Sequence, residues 1–275
     1  MFISCESSLK PWLIVPLLLL IYFFILWIFH LKGINMKNLN REKLIAFRLN
    51  KFLKKHKIKA TLEQIESLSK IIKKSIEFNQ KLYDIGTLDG VSLATTVEDL
   101  MEVFMLRSEV YREMNYSSEF PEIIEGLDFD EYDEHSAIVY SRKGHTITGT
   151  FRLIFDSSDK KLPIDKRFSL DYLRNSNRNL VEASRVIIRD IKGLQPEFKL
   201  LIIDAYKILT SYNLDAIFVI VEDHLKLYIN FGGLTVEKKF HTYGTLNKEF
   251  IITLWKTSEI SPFFKRAFLQ NVEVA

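Results

Sequence analysis

The chain has 275 residues, 47% of them hydrophobic and 27% charged, which is enough to bury a full core with apolar residues to spare. Lysine and arginine number 38 against 35 aspartates and glutamates, and the resulting +3 leaves no basic domain suited to a nucleic-acid backbone. One cysteine, Cys5, excludes a disulfide framework and a thiolate metal centre.

The surplus apolar residues sit near the N-terminus. Residues 11–31 contain an uncharged run from Pro11 to Phe29, bracketed by Trp12 and Trp27, close to the ~20 residues a helix needs to span a bilayer. A cleavable signal peptide does not fit, because Glu6 precedes the run, its residues are bulky and His30-Leu31-Lys32 follows it. The pattern predicts a retained anchor after a short extracytoplasmic tail at 1–10. Lys32, Lys37, Arg41, Lys43, Arg48, Lys51, Lys54, Lys55, Lys57 and Lys59 follow the run against a lone Glu42, so the positive-inside rule directs the C-terminal part to the cytoplasm.

Residues 32–86 read as a basic juxtamembrane segment and helical stalk. Ile45, Leu49, Phe52 and Leu53 recur at helical spacing among lysines, a pattern suited to anionic lipid headgroups. Thr61-Leu-Glu-Gln64 is a capping box that opens a second helical stretch with Leu62, Ile65, Leu68, Ile72 and Ile76 on one face. Gly86-Thr-Leu-Asp-Gly90 ends it.

Residues 87–275 alternate strand and helix signals. The expected order is a short strand at 91–95, a helix at 97–115, a hairpin of strands at 136–141 and 146–155 around Lys143-Gly144, and a strand at 180–188. Pro196 opens a helix to about 212, followed by a buried strand at 216–221, a short helix before Gly232-Gly233, strands at 236–242 and 250–255, and a helical piece bearing Phe263, Phe264 and Phe268. Such alternation fits one α/β domain with a mixed sheet.

Charged residues fall where these strands should be buried: Asp128-Phe-Asp-Glu-Tyr-Asp133 ahead of the hairpin, Arg152 on its second strand, and Glu182-Ala-Ser-Arg185 on the next. Carboxylates and guanidiniums in such places must pair or take part in chemistry. Strand alternation puts Glu182 and Ser184 on one face, with Ala183 and Arg185 on the other. His135, His145, His224 and His241 show no metal-ligand spacing, and no metal is expected.

Arg107-Ser-Glu-Val-Tyr111, Asp128-Phe-Asp-Glu-Tyr-Asp133, Gly149-Thr-Phe-Arg152-Leu, Leu162-Pro163 with Phe168, and Glu182-Ala-Ser-Arg185 resemble, in order and spacing, the successive motifs of LuxI-type acyl-homoserine-lactone synthases. They equally resemble the related N-acyl amino acid synthases, and both groups belong to the GNAT acyltransferase superfamily. The resemblance covers roughly residues 91–260 and implies a GNAT-like mixed, mostly antiparallel sheet flanked by helices. It implies an enzyme that moves a fatty acyl chain from the phosphopantetheine thioester of acyl carrier protein to an amino group. The apolar run and the basic residues after it, which lie outside the resemblance, would place that enzyme in the bacterial inner membrane with its catalytic domain in the cytoplasm. No permanently bound cofactor is implied.

On the same resemblance Glu182 is the candidate base, and Arg107, Asp130, Asp133, Arg152 and Arg185 form the substrate-binding cluster around the amine. The backbone after Arg185 is where oxyanion donors are expected. The coenzyme-A loop pattern Q/R-x-x-G-x-G/A is represented only by Arg189-Asp-Ile-Lys-Gly193-Leu-Gln-Pro196, so Arg189, Lys192 and Lys199 are assigned to an acidic carrier protein instead. The lactone synthases have a tryptophan after the arginine helix where this chain reads Glu113-Met-Asn-Tyr-Ser-Ser118, which tilts the acceptor from S-adenosylmethionine towards an amino acid. An acyl-homoserine-lactone synthase, an ornithine-lipid-type acyltransferase and a non-catalytic, membrane-tethered acyl or carrier-protein binding module remain as alternatives.

Overall fold

The computed structural model describes residues 36–82, 91–189, 196–243 and 246–270. The expected tail, the expected anchor at 11–31 and Lys192 lie outside these. Among the described residues no helix is long and apolar enough to cross a membrane. The chain divides into two compact units, residues 1–47 and 48–275, and the sheet lies wholly in the second.

Helix α1, Met36–His56, buries Leu49, Phe52 and Leu53. Helix α2, Leu62–Leu82, starts on the expected capping box: Thr61 N donates to Gln64 Oε1 at 2.7 Å and Gln64 N to Thr61 Oγ1 at 3.2 Å. Of the expected face Leu68, Ile72 and Ile76 are buried, joined by Ile71 and Leu82, whereas Leu62 in the first turn is 81% exposed and Ile65 only half-buried, so the buried stripe begins about two turns later than the apolar spacing implies. The helix does not stand apart as a stalk, however. Asn79, wholly buried on the same face, donates to Ser136 O at 3.0 Å and accepts from Ile138 N at 2.9 Å. Those main-chain groups lie beyond the reach of the short strand β1, so the asparagine satisfies a strand edge that would otherwise be buried unpaired.

Seven strands form one sheet in the order β1-β2-β3-β4-β5-β7-β6: β1 Val91–Leu93, β2 Ser136–Lys143, β3 Thr146–Phe155, β4 Leu180–Ile188, β5 Asp215–Val221, β6 Leu234–Tyr243 and β7 Leu246–Trp255. All neighbours are antiparallel except β4 and β5. That parallel pair joins only over Leu180↔Asp215 to Ala183↔Phe218, after which no pairing links β4 to β5. The sheet therefore parts at its centre while β3 continues to hold β4.

Helix α3, Val97–Glu113, is capped by Thr96, whose side chain accepts from Asp99 N at 3.1 Å, and it carries Arg107 on its buried side. Helix α4, Pro196–Ser211, forms the crossover from β4 to β5. Its Leu201, Ile202, Ala205 and Leu209 pack with Phe151, Leu153, Val181 and Phe218, each of the side chains larger than alanine contributing about 1.5–3 kcal/mol on burial. Ser141 and Thr148 donate to Glu197 in the first turn of α4, fixing the helix start on the hairpin. The approach is close enough that a Cβ on Gly149 would meet Ser141 Oγ at 2.5 Å and Leu201 Cδ1 at 3.0 Å. The aromatic C-terminus is core: Phe264 and Phe268 pack with Phe231 and Trp255, while Phe263 stays 45% exposed.

Candidate active site

The acidic segment ahead of β2 folds as a 3₁₀ turn, Glu131–His135, with Asp130 as its N-cap. Asp130 Oδ1 accepts from Tyr132 N at 2.9 Å, and Asp133 Oδ2 accepts from Asp130 N at 2.9 Å. This reciprocal cap fixes both carboxylates: Asp133 keeps Oδ1 for the arginines, while Asp130 shares its capping Oδ1 with Arg152 and turns Oδ2 towards Arg185. Asp133 Oδ1 takes Arg107 Nη1 at 2.9 Å and Arg152 Nη1 at 3.1 Å, while Arg152 Nη1 also reaches Asp130 Oδ1 at 2.6 Å. Arg152 Nε donates to Ser184 Oγ at 3.0 Å on β4. Arg185 Nε donates to Asp128 Oδ2 at 2.9 Å, and its Nη2 lies 3.4 Å from Asp130 Oδ2.

Three guanidiniums and three carboxylates thus share one buried lattice, which compensates charges that would each be costly alone. Arg107 and Asp133 are fully buried and Arg152 is 2% exposed. Burial opposes ionisation of Asp130, but Arg152 and Arg185 outweigh it and hold the carboxyl below its ordinary range. In Asp128 burial wins over Arg185 and pushes the carboxyl up. Arg107 Nε and Nη2 are buried without hydrogen-bond partners, and its guanidinium carbon lies 5.5 Å from the Phe104 ring centre.

Arg185 departs from the expected face. Its φ is +55°, and the β3–β4 register shifts between Thr150 and Arg152, a bulge that turns the side chain to the face holding Arg152. Simple alternation would have sent it towards α4. There it rests on an aromatic slab, 4.2 Å from the Phe120 ring centre and 5.4 Å from that of Tyr111, the two rings being stacked at 4.4 Å.

A cavity of about 380 Å³ opens beside this lattice at the parting of β4 and β5, with Arg152, Glu182, Ser184, Arg185, Tyr132 and Phe120 in its wall. Asp130 reaches it as expected, whereas Arg107 and Asp133 lie behind the wall, because Asp133 is consumed by the turn cap and two guanidiniums. Glu182 is 7% exposed, and its Oε2 accepts from Ile164 N at 2.9 Å. Burial raises its pKa to about 7, with the Ile164 N–H and Arg152 pulling the other way.

Arg189 forms an ion pair with Glu109 of α3, and Lys199 is exposed on α4; neither lines the cavity. Sequence reasoning missed Phe120 and Tyr132, which have no charged motif to announce them, and the Ile164 N–H, which no residue type encodes. Leu162-Pro163 was the available signal for the last, since Pro163 begins the 3₁₀ turn, Pro163–Lys166, that presents it. Among the described residues no group of His, Cys, Asp and Glu side chains is arranged to hold a metal ion.

A mixed sheet parted between two parallel strands, with a near-neutral carboxyl at the parting, is the framework of an amide-forming acyltransferase of the GNAT type. The model of the family described as N-acyl amino acid synthase FeeM matches residues 102–254, more than half of the chain, and the chain belongs to that family. No curated protein sequence matches it. Among solved structures it is similar to FeeM, an N-acyl amino acid synthase from uncultured soil microbes, at 19% identity and TM-score 0.48 over 62% of this chain and 95% of that one. It is also similar to the CoA-dependent acyl-homoserine lactone synthase MesI (16%, TM-score 0.48, 71% and 94%) and to the AHL synthase LasI (17%, 0.47, 67% and 96%).

Proposed function

We propose that the protein joins a fatty acyl chain from acyl carrier protein to the α-amino group of an amino acid, with Glu182 as the base. The observation that carries this reading is a buried carboxyl with a pKa of about 7 in the wall of the cavity, poised to exchange a proton near neutral pH. An ammonium cannot attack a thioester. Glu182 takes one proton from it, directly or through a water, and the free amine nitrogen then adds to the acyl carbon. The carbonyl electrons move to oxygen, where main-chain N–H groups at the bulged end of β4 stabilise the oxyanion. Collapse breaks the carbon–sulfur bond, and the thiolate leaves with the second amine proton.

Arg152, Arg185 and Asp130 give the acceptor pocket a fixed polar wall, and Arg107, Asp133 and Asp128 hold that wall in place. Two further parts of the reading come from sequence. The degenerate glycine loop and the lysines around it favour carrier protein over free coenzyme A. The uncharged run at 11–31, with basic residues after it, favours a membrane-anchored enzyme whose catalytic domain lies in the bacterial cytoplasm.

The test offers the purified protein acyl carrier protein and acyl coenzyme A in parallel, each with a panel of amino acids or S-adenosylmethionine. The expected product is an N-acyl amino acid formed from the carrier thioester. Release of methylthioadenosine from S-adenosylmethionine would instead identify a lactone synthase. Glu182→Gln is expected to lower kcat by roughly 10²- to 10⁴-fold, the usual worth of general-base catalysis, and a variant with wild-type rate would sink the assignment.

A further inference from the structure

The turn that presents Ile164 N–H to Glu182 is fastened by ions. Asp165 within it accepts from Leu162 N at 3.1 Å and Leu170 N at 3.0 Å, closing the loop at both ends. Arg174 then grips Asp165 with two nitrogens, at 2.8 and 2.5 Å. On its other edge the same guanidinium grips Asp156 at 2.6 and 2.9 Å. Asp156 is the residue after β3, and its N–H donates to Leu180 O at 3.1 Å, at the start of β4.

We propose that Arg174 is a positioning residue for the reaction: through Asp165 it locks the 162–170 turn to the β3–β4 frame, so that the Ile164 N–H stays on Glu182 Oε2. The proposal rests on the reading of Glu182 as the base. Two bidentate grips on one guanidinium specify direction as well as charge, unlike a loose surface pair. The side chains of Arg174, Asp156 and Asp165 are 20%, 10% and 6% exposed, so water screens them only in part. The turn also presents Lys166 and Arg167 to the cavity, which makes its placement matter for more than one atom.

The charged groups that act on Glu182 from the packed elements are Arg152 on β3, Arg185 on β4 and Asp165 on the turn, in addition to the Ile164 N–H. The two arginines and the N–H favour the carboxylate, and Asp165 opposes it. Removing Arg174 frees the turn and leaves Asp165 without its counter-ion. Both effects disfavour the ionised form of Glu182, so its pKa rises.

The experiment compares full-length wild type with Arg174→Gln, Arg174→Lys and Glu182→Gln. The acidic limb of kcat/KM should move up by about one pH unit in Arg174→Gln, which at pH 7 is a loss of roughly five-fold that is regained by pH 9. Arg174→Lys keeps the charge without the double grip, and should show a smaller shift in the same direction. Infrared difference spectra against Glu182→Gln follow the carboxyl itself and should show the same displacement, independent of turnover. An unmoved Glu182 titration in the Arg174 variants, or a loss equal at pH 7 and pH 9, overturns the proposal and leaves Arg174 a stabilising clamp only. Should Arg174→Gln fail to fold, Arg174→Lys carries the same decision. Glu182→Gln at wild-type rate would instead remove the base reading while the spectra still reported on the turn.

Discussion

The two faces of β3 and β4 are built by opposite rules. Towards α4 the strands present Phe151, Leu153 and Val181, which interdigitate with aliphatic side chains and make no demand on direction. Towards α3 they present Arg152, Glu182 and Ser184, each held by named partners at defined angles. The apolar face tolerates repacking, because dispersion and burial depend on volume and area. The charged face does not, because removing one member strands a buried charge. The charged rule covers only part of its face: Ile154, paired with Glu182, and Leu180 pack with Leu162, Ile164 and Ile217 in a second apolar cluster, so the site is set beside a core on its own side of the sheet.

Substitutions can break that contrast in graded steps. The largest effect is expected for Arg107→Ala, which leaves Asp133 buried with less compensation and should cost roughly 3–5 kcal/mol in denaturant unfolding, despite lying outside the cavity. On the apolar side Leu153→Ala should cost about 3 kcal/mol, and Leu153→Met less than about 1.5, a tolerance the charged face should lack.

Glu182→Gln sharpens the comparison through pH. The folded pKa of about 7 lies above the ordinary glutamate value of 4.5, so below 4.5 the group is neutral in both states and costs nothing. As pH rises from about 4.5 to about 7 the unfolded chain gives up this proton while the folded one keeps it, so stability falls across that window and levels off above it, where the folded state buries the charge. The glutamine variant should therefore melt like wild type at pH 4 and gain roughly 2–3 kcal/mol over it at pH 9. Equal melting at both pH values would mean that the carboxyl is not neutral-poised. The smallest effect belongs to Ser184→Ala, which removes one hydrogen bond to Arg152 Nε and should cost about 1 kcal/mol.

The strands that carry the site were legible because period and punctuation agreed. The expected bounds of β3 and β4 coincide with the observed Thr146–Phe155 and Leu180–Ile188, since Lys143-Gly144 marks the turn and both strands are bounded by polar segments. The charged lattice was legible too, because buried carboxylates and guanidiniums leave few alternatives to pairing. Arg185 was placed on the wrong face, because a period-two rule assumes extended backbone and nothing in Glu182-Ala-Ser-Arg185 signals a left-handed residue. The role of α2 was misjudged because the stalk reading rested on apolar spacing and the capping box alone, and neither marks Asn79, the residue that fastens the helix to the β2 edge. The Ile164 contact is a main-chain donor, and side-chain patterns are silent about those.

The bulge at Arg185 has a consequence for how this position can vary. Glycine and asparagine accept a positive φ at little cost but remove the guanidinium that meets Asp128 and Asp130. Lysine keeps a charge, yet it lacks the planar fork and stays strained at that backbone angle. Arginine supplies the fork and bears the backbone strain itself, so a substitution here gives up either the relief of that strain or the pairing with Asp128 and Asp130.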